Sequence, residues 1–280
     1  MKHAAGGDKM KKSDNKNKAI YKKVVVITGA SSGIGKATAI YFANKGCKVY
    51  GLSRRVVADE NFESISCDVR NSSAVEAVLS DIFNREGHID CFYNNAGMGI
   101  SGAAEYIAEE ENKKLFTLNL LAFVSCAKLA VPYLKKSKGI LINTGSIAGV
   151  VPIPYQAAYS ASKAAINSYS MAIRNELHGS GVRVCTVMPG DTKTGFTDAR
   201  LKTETDGGYG DKIKKSVARM ERDERSGKSP ESVAKVVYKL FCRKNPPALV
   251  SVGFSYKLVA FLAKILPDRL MLFIVRKLYG

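Results

Sequence analysis

The segment YSASK places Tyr159 four residues before Lys163, in a stretch whose pattern predicts a helix. Residues at positions i and i+4 share one face of a helix, so the lysine ammonium can lie beside the phenol. A neighbouring positive charge favours the phenolate, which brings a tyrosine pKa down from about 10 toward the range of efficient acid–base catalysis. The spacing alone does not identify a site, because YFANK repeats it at Tyr41 and Lys45.

A glycine-rich segment, TGASSGIG, occupies residues 28–35, between an apolar run and a helical pattern. Its three glycines do not match the GxGxxG spacing, but they meet the same physical need. A tight turn of this kind brings the backbone close to a pyrophosphate, and the N–H groups of a helix N-terminus then point at it. The segment therefore predicts a dinucleotide site, and a turn without a ligand is the alternative.

The second apolar run ends in Ser53, Arg54 and Arg55. NAD-selective sites usually carry an acidic residue about here to hold the ribose hydroxyls, whereas guanidinium groups suit a 2′-phosphate. We therefore expect NADP as the cofactor, and NAD is the alternative. Arginines that simply lie on a solvated surface would also explain the pattern.

Short apolar runs alternate with helical patterns from Lys23 onward. Seven runs predict strands, at residues 23–29, 48–53, 63–69, 89–97, 139–146, 182–190 and 248–253. This alternation predicts an α/β fold: a single-domain, Rossmann-like, doubly wound parallel sheet with helices on both faces. The glycine-bearing ends of these strands then open onto one crevice at the carboxyl edge of the sheet, where such folds bind ligands.

The motifs follow one another in a recognisable order, with NNAG at residues 94–97, then Ser146, then YSASK, then PGDTKT at residues 189–194. Together they resemble the short-chain dehydrogenase/reductase family over residues 23–253. The resemblance implies that Tyr159 is the catalytic acid–base with Lys163 as its partner, and that Ser146, 13 positions upstream, hydrogen-bonds the substrate oxygen. It also implies that Asn119 holds a water in a proton relay, and satisfying backbone groups at a helix kink is the alternative.

The residues and the resemblance together predict two overlapping sets of binding residues. The cofactor set lies at the strand ends and comprises Gly29, Ser31, Ser32, Gly33, Ile34, Gly35, Ser53, Arg54, Arg55, Asp68, Val69, Asn95, Ala96, Gly97, Tyr159, Lys163, Pro189, Gly190, Thr192 and Thr194. The substrate set comprises Ser146, Ala148, Ile153, Tyr155 and Tyr159.

The resemblance assigns specific positions to three residues of the cofactor set. Thr194 corresponds to the threonine beside the nicotinamide, and Thr192 stands where many members have isoleucine. Many NADP-using members carry a basic residue just before the second glycine, where this chain has Ser32. Selectivity for NADP must then depend on Arg54, helped by Arg55 or Lys36.

The ends of the chain differ from the middle. Residues 1–22 are predicted to form a basic, disordered arm without the apolar region of a signal peptide, and the net charge of the chain is +18. Residues 23–253 are the predicted catalytic domain, in which residues 194–229 resemble the family's substrate lid. Residues 254–280 predict an amphipathic helical extension. It would be a cover over the substrate mouth, a subunit interface or a basic membrane-surface anchor.

The six cysteines are scattered without a CxxC pair, and the three histidines are far apart. This pattern predicts free thiols in a reducing compartment and no metal site. We expect a cytoplasmic protein, or one peripheral to a membrane if the extension is an anchor. The resemblance implies a dimer or tetramer, and no nucleic-acid-reading motif is visible.

The predicted function is an NADP-dependent oxidoreductase that interconverts a ketone and a secondary alcohol on a hydrophobic substrate, for which lipids and steroids are the candidates. The apolar residues of the substrate set favour such a molecule over a sugar or a charged acid. A catalytically silent nucleotide-binding regulator and a basic membrane-surface adaptor are the alternatives. The intact set of Ser146, Tyr159 and Lys163 argues against the regulator.

Overall fold

A seven-stranded parallel sheet forms the centre of the molecule, as the strand–helix alternation predicts. The computed structural model describes residues 22–203 and 207–280. Its strands are β1 Val24–Thr28, β2 Lys48–Ser53, β3 Glu63–Ser66, β4 Cys91–Asn94, β5 Ile100–Ser101, β6 Ile140–Thr144, β7 Arg183–Met188, β8 Leu201–Lys202 and β9 Leu249–Ser251. The main sheet has the order β3-β2-β1-β4-β6-β7-β9, and every neighbouring pair is parallel.

Helices cover both faces of this sheet. They are α1 Gly33–Ala43, α2 Ser72–Glu86, α3 Glu109–Phe116, α4 Phe123–Ser137, α5 Ala157–Glu176, α6 Asp211–Arg225, α7 Pro230–Cys242, α8 Phe254–Ile265 and α9 Asp268–Tyr279. Apolar side chains of α2, α4 and α5 form the core on one face, and those of α1 and α7 form the core on the other. The predicted fold class is therefore confirmed, including the single domain.

The central strands are buried throughout, which explains their continuous apolar sequences. All five residues of β1, Val24–Thr28, are buried, and so are those of β6. A parallel strand covered on both faces reads as an uninterrupted apolar run rather than an alternating one. The strand order reverses between β1 and β4, which places the expected ligand crevice at their carboxyl ends.

The stretch Glu109–Ser137 is the one described helical segment that is long and apolar enough to span a membrane by length and composition. It consists of α3, a π-helical turn at Thr117–Ala122 and α4. Its buried face packs against the sheet through Cys126, Ala130 and Leu134, among others. We interpret it as a core helix of the fold, since this packing accounts for its apolar side chains.

The structure adds details that the sequence patterns missed. A second sheet of two short strands, β5 and β8, pairs Ile100 with Leu201 and Ser101 with Lys202. β3 ends at Ser66 rather than at Val69, so Asp68 and Val69 lie in the loop beyond it. Residues 1–21 of the predicted basic arm, and residues 204–206 of the predicted lid, lie outside the described residues.

All six cysteines lie in the described part of the chain and are unpaired, as the sequence predicts. Cys67, Cys91, Cys126 and Cys185 are buried. In these same residues, 22–203 and 207–280, no group of three His, Cys, Asp or Glu side chains could hold a metal ion.

Candidate active site

The structure brings Ser146, Tyr159 and Lys163 together at the carboxyl edge of the sheet. Tyr159 and Lys163 lie one turn apart on α5, with the Lys163 Nζ atom 5.8 Å from the centroid of the Tyr159 ring. The ammonium donates a hydrogen bond of 3.0 Å to the carbonyl oxygen of Thr144, the last residue of β6. Ser146 follows two residues later, close enough to the Tyr159 phenol for its hydroxyl to lower the pKa of that group.

Close contact between a short turn and α5 fixes this arrangement. The residues after Ser146 form a 3-10 turn, Ile147–Gly149, and the amide of Ala148 donates to the Ser146 Oγ at 3.1 Å. A Cβ atom on Gly149 would lie 2.6 Å from the carbonyl carbon of Lys163. Only glycine lets the turn approach the helix this closely, and the approach places Ser146 beside Tyr159.

Burial dominates the protonation of the two ionisable groups. It raises the pKa of Tyr159 to about 12, although the hydrogen bond from Ser146 and the charge of Arg200 act in the opposite direction. Burial also lowers the pKa of Lys163 to about 8. We expected Lys163 to favour the phenolate, but desolvation has the larger effect on the pKa of the Tyr159 phenol. Tyr159 therefore keeps its proton at neutral pH.

Asn119 lies in the π-helical turn, buried, with its side chain engaged at both ends. Its Oδ1 accepts from the Met98 amide at 2.9 Å, and its Nδ2 donates to the Met98 carbonyl at 2.9 Å and to Ser162 Oγ at 3.2 Å. The side chain therefore satisfies backbone groups of the loop after β4 and ties that loop to α5. Its role in a water relay remains a prediction.

The glycine-rich loop forms a cradle in which side chains would not fit. Gly29 has φ +70° and Gly33 has φ +54°, in the left-handed region that favours glycine. A Cβ on Gly35 would lie 2.2 Å from the Gly29 carbonyl oxygen. α1 begins at Gly33, so its first N–H groups face the crevice, and the residues present fit a pyrophosphate.

The loop after β4 is attached directly to the glycine-rich loop. The Thr28 Oγ1 atom accepts from the amides of Asn95 at 2.9 Å and Ala96 at 3.0 Å, and the Asn95 side chain donates to the Thr28 carbonyl at 3.0 Å. A Cβ on Gly97 would lie 3.2 Å from Asn119 Oδ1 and 3.7 Å from Lys163 Nζ. The NNAG motif therefore connects the predicted pyrophosphate and catalytic ends of one crevice.

The adenosine end carries the predicted basic groups. Ser53 is buried and its Oγ donates to the Arg55 carbonyl at 2.7 Å, while the side chains of Arg54 and Arg55 are exposed. Asp68 pairs with Arg70, and this guanidinium, followed more weakly by that of Arg54, holds the pKa of the Asp68 carboxyl below its usual value. The Asp68 carboxylate is thus neutralised, and this end of the crevice favours an anion.

The PGDTKT loop faces the glycine-rich loop. A Cβ on Gly33 would lie 3.4 Å from the Cβ of Thr194, while Thr192 Oγ1 donates to the Gly190 carbonyl at 3.0 Å. This places the loop of Pro189, Gly190, Thr192 and Thr194 next to the glycine-rich loop, and its contact with the cofactor remains a prediction.

The other predicted substrate residues, Ala148, Ile153 and Tyr155, lie in the segment between β6 and α5. Ala148 is buried, and Ile153 and Tyr155 are half-buried. Tyr155 has φ +59°, an uncommon conformation for a residue with a side chain, and its carbonyl accepts from the Gly102 amide at 2.9 Å. Its ring meets that of Tyr209, in the predicted lid, at 6.0 Å.

Comparisons with known proteins agree with this geometry. The family model described as short chain dehydrogenase matches residues 23–205. The 3-ketodihydrosphingosine reductase of Bacteroides thetaiotaomicron is 40% identical over 266 residues, which cover 92% of this chain and 98% of that protein. The chain belongs to the short-chain dehydrogenase family.

Solved structures support the same assignment. A short-chain dehydrogenase from Streptomyces avermitilis has a TM-score of 0.78 and 27% identity, over 91% of this chain and 96% of that one. A serine dehydrogenase in its closed form, complexed with NADP+, has a TM-score of 0.71 and 26% identity, over 81% of this chain and 93% of that one. This member of the short-chain dehydrogenase family is thus an oxidoreductase that acts on CH–OH groups, as the sequence predicts.

Sequence reasoning missed a group of residues in the predicted lid of this short-chain dehydrogenase. The Phe196 ring lies 5.9 Å from that of Tyr159 and covers it. Behind Phe196, the buried Arg200 forms an ion pair with Glu224, which also accepts from Thr197 at 2.6 Å. These residues are separated along the chain and follow no common period, so no sequence pattern could join them.

The ion pair retains unused hydrogen-bonding capacity. Two of the guanidinium nitrogens of Arg200, Nε and Nη1, have no hydrogen-bond partner among the described residues. Its charge lowers the pKa of Tyr159, whereas the charge of Glu224 raises it, so both groups act electrostatically on the phenol.

Proposed function

We propose that the chain is an NADP-dependent reductase that converts the ketone of a long-chain sphingoid base, such as 3-ketodihydrosphingosine, to a secondary alcohol. The similarity to the 3-ketodihydrosphingosine reductase carries the proposal, because it extends over 98% of the length of that relative. Because it also covers 92% of this chain, it extends well beyond residue 205, where the match to the family model ends.

The surroundings of Tyr159 support a lipid chain as substrate. Ile100, Ile107 and Leu115 form a buried apolar cluster, against which Met98, Ala158, Tyr159 and Leu201 pack. An alkyl chain beside the phenol would add to this cluster and gain about 0.8 kcal/mol for each buried methylene.

The Arg200–Glu224 ion pair supports a polar head next to the ketone. A 3-keto sphingoid base carries an amino group on the carbon adjacent to the ketone and a hydroxyl group on the next carbon. A wholly apolar ketone would leave the unpaired N–H groups of Arg200 without partners, which is costly in a buried site. A hydroxyl oxygen of the head group can accept from them.

The chemistry assigned to each residue follows from its protonation and position. Ser146 and Tyr159 would both donate to the ketone oxygen, where negative charge develops during reduction. Bound NADPH would supply the hydride. Because its pKa is raised to about 12, Tyr159 is protonated at neutral pH and suited to give its proton to the alkoxide, which favours the direction of reduction.

The preference for NADP would depend on Arg54 and Arg55, whose exposed guanidinium groups follow β2. Replacement of Arg54 by aspartate should raise the dissociation constant of NADPH at least tenfold and that of NADH less than threefold, because only NADPH carries the 2′-phosphate. Fluorescence titration measures both constants. Arg243→Asp, at an exposed arginine after α7, is the matched control. Equal losses for the two nucleotides at Arg54 would refute its role.

The substrate is tested by following NADPH oxidation with three ketones in detergent micelles: 3-ketodihydrosphingosine, a long-chain ketone without the amino-alcohol head, and a steroid ketone. We expect kcat/KM to be at least tenfold higher for the sphingoid ketone than for either of the others. Equal rates for the two long-chain ketones would remove the head group from the proposal. A higher kcat/KM for the steroid ketone would show that the substrate class is steroids rather than sphingoid bases. A cytoplasmic location and assembly into a dimer or tetramer remain predictions.

A further inference from the structure

The C-terminal helices α8 and α9 carry most of the exposed apolar surface of the described chain. Fourteen large apolar side chains are exposed in the described residues, and nine of them lie in these two helices. They are Phe254, Leu258, Phe261, Ile265, Leu270, Leu272, Phe273, Ile274 and Leu278. α8 buries none of its residues, and α9 buries only Val275. Such a concentrated apolar patch is unusual on a soluble protein and indicates an interaction surface.

The exposed residues follow the helical period. On α8, Phe254, Leu258, Phe261 and Ile265 recur at four-, three- and four-residue steps and form one stripe. Phe254 is the most exposed, at 82%. Each helix has 12 residues, so its length is about 18 Å, well short of the roughly 30 Å of a bilayer core. These helices can lie in the plane of a membrane surface but cannot cross it.

Positive charges accompany the apolar stripe. Residues 254–280 contain five basic side chains and one acidic side chain, Asp268. The charged ends of Arg276 and Lys277 lie 5.9 and 5.8 Å from the centroid of the exposed Phe273 ring. Cations beside an apolar stripe can extend to anionic headgroups while their carbon stems stay with the acyl chains. The centre of a protein–protein interface is depleted of charge, so this arrangement favours a lipid surface over a second copy of the chain.

Tyrosines at the two ends of this helical pair attach it to the candidate active site. The Tyr256 ring packs on Gly190, where a Cβ would lie 2.2 Å from it, and the Tyr256 hydroxyl bonds to Asp191. Tyr279 lies beside Asp223 and Arg219 of the lid helix α6, with its ring centroid 5.5 Å from the Arg219 guanidinium. A surface bound by α8 and α9 would therefore lie next to the lid.

We propose that α8 and α9 form a docking surface for an anionic lipid bilayer, with the apolar stripe inserted among the acyl chains and the basic side chains at the headgroups. This inference is independent of the proposed substrate, since it depends only on the exposed side chains and their charges. The docked lid would then face the membrane, from which an apolar substrate could enter without crossing water.

Sedimentation of the full-length protein with lipid vesicles tests the proposal. Vesicles of phosphatidylcholine with about one-third phosphatidylglycerol should bind the protein, vesicles of phosphatidylcholine alone should bind it at least tenfold more weakly, and salt should reduce the difference. The double variant Phe254→Ser/Phe261→Ser should lose at least tenfold in partitioning. Leu121→Ser, at a side chain of similar exposure elsewhere, should partition like the natural protein.

Charge reversal provides a second variant that leaves the apolar stripe intact. Arg276→Glu/Lys277→Glu should abolish the preference for anionic vesicles, and the thermal midpoint of every variant should stay near that of the natural protein. Undiminished binding by the double phenylalanine variant would place the binding elsewhere, for example in the lysine-rich residues 1–23, and would overturn the proposal. So would a dimer that dissociates when Phe254 and Phe261 are replaced, because the stripe would then be a subunit interface.

Discussion

Two tyrosine–lysine pairs with identical spacing have different surroundings in this molecule. Lys163 Nζ lies 5.8 Å from the Tyr159 ring centroid, and Lys45 Nζ lies 5.6 Å from that of Tyr41. Lys163 is 5% exposed, whereas Lys45 is exposed at the solvent-facing end of α1. The distance from the ammonium to the ring is therefore almost the same in the two pairs. The element that faces each pair decides what that pair can do.

The facing element differs in chemistry as well as in burial. Tyr159 faces the end of β6, where Ser146 and the Thr144 carbonyl supply polar contacts. Tyr41 faces the ring of Tyr238 on α7, at 5.6 Å between centroids. The first pair thus has a hydrogen-bonded phenol beside a crevice, and the second is an aromatic contact between two helices. The chemistry that a tyrosine–lysine pair can perform therefore depends on the element that faces it.

The largest expected effect is on turnover. Tyr159→Phe removes the proton donor and should lower kcat on the order of 10³-fold, while the dissociation constant of NADPH changes less than twofold. Tyr41→Phe should leave kcat within twofold of the natural value. Steady-state kinetics and nucleotide titration check both variants. Near-normal turnover in Tyr159→Phe would show that the two pairs are chemically equivalent.

The next effect concerns glycines beside each pair. In Gly149→Ala the new Cβ would lie 2.6 Å from Lys163 backbone, which should lower the free energy of unfolding by about 2 kcal/mol and displace Ser146. Gly46 has φ +82° and no atom within 4 Å of its added Cβ, so Gly46→Ala should cost only about 1 kcal/mol and leave kcat unchanged. Urea denaturation and kinetics measure these quantities. A normal kcat in Gly149→Ala would mean that the close approach does not position Ser146.

The smallest effect is a pH-dependent change in stability at the lysines. Burial lowers the pKa of Lys163 from 10.5 to about 8, so the unfolded chain binds more protons between these values and stability rises with pH across them. Below pH 8 the full cost is present, about 3 kcal/mol at about 1.4 kcal/mol per pH unit. Lys163→Met should remove this cost but should also lose the hydrogen bond to the Thr144 carbonyl. The free energy of unfolding should therefore rise by about 1 kcal/mol at pH 7.

Urea denaturation of Lys163→Met and Lys45→Met at pH 7 and pH 10 separates the two lysines. The stability advantage of Lys163→Met should decline or disappear at pH 10, where the natural lysine is neutral in the folded state. Lys45→Met should show no such dependence, because Lys45 is exposed. A pH-independent difference at position 163 would mean that the lysine is buried without a charge-related cost.

The sequence predicted the fold well for physical reasons. Buried parallel strands leave uninterrupted apolar runs, and glycines mark the ends of β1 and β4, so the seven strands of the main sheet and their common crevice could be read from the sequence. The i+4 spacing placed Tyr159 beside Lys163. The raised pKa of the Tyr159 phenol did not follow from the spacing, because desolvation depends on how closely the surrounding elements pack.

The side-chain contacts of the predicted lid could not be read from the sequence in this way. Phe196, Arg200 and Glu224 meet only after α6 folds back over β8, and their contacts leave no periodic signal. The polar sequence of α6 also conceals the buried residues Ile213, Ser216 and Met220. The three functions considered for the C-terminal helices could not be distinguished either, since an amphipathic pattern shows which face is apolar but not what covers it.

Main-chain hydrogen bonds join the segments at the beginning and the end of the predicted lid. The Lys193 amide donates to the Lys228 carbonyl at 2.9 Å, and the Lys228 amide donates to the Asp191 carbonyl at 3.1 Å. These hydrogen bonds join the segment that follows β7 to the segment that precedes α7. A segment closed in this way can change length at little entropic cost, about 0.6 kcal/mol for each doubling. Insertions or grafts between Lys193 and Lys228 should therefore alter the predicted lid while the nucleotide loops keep their positions.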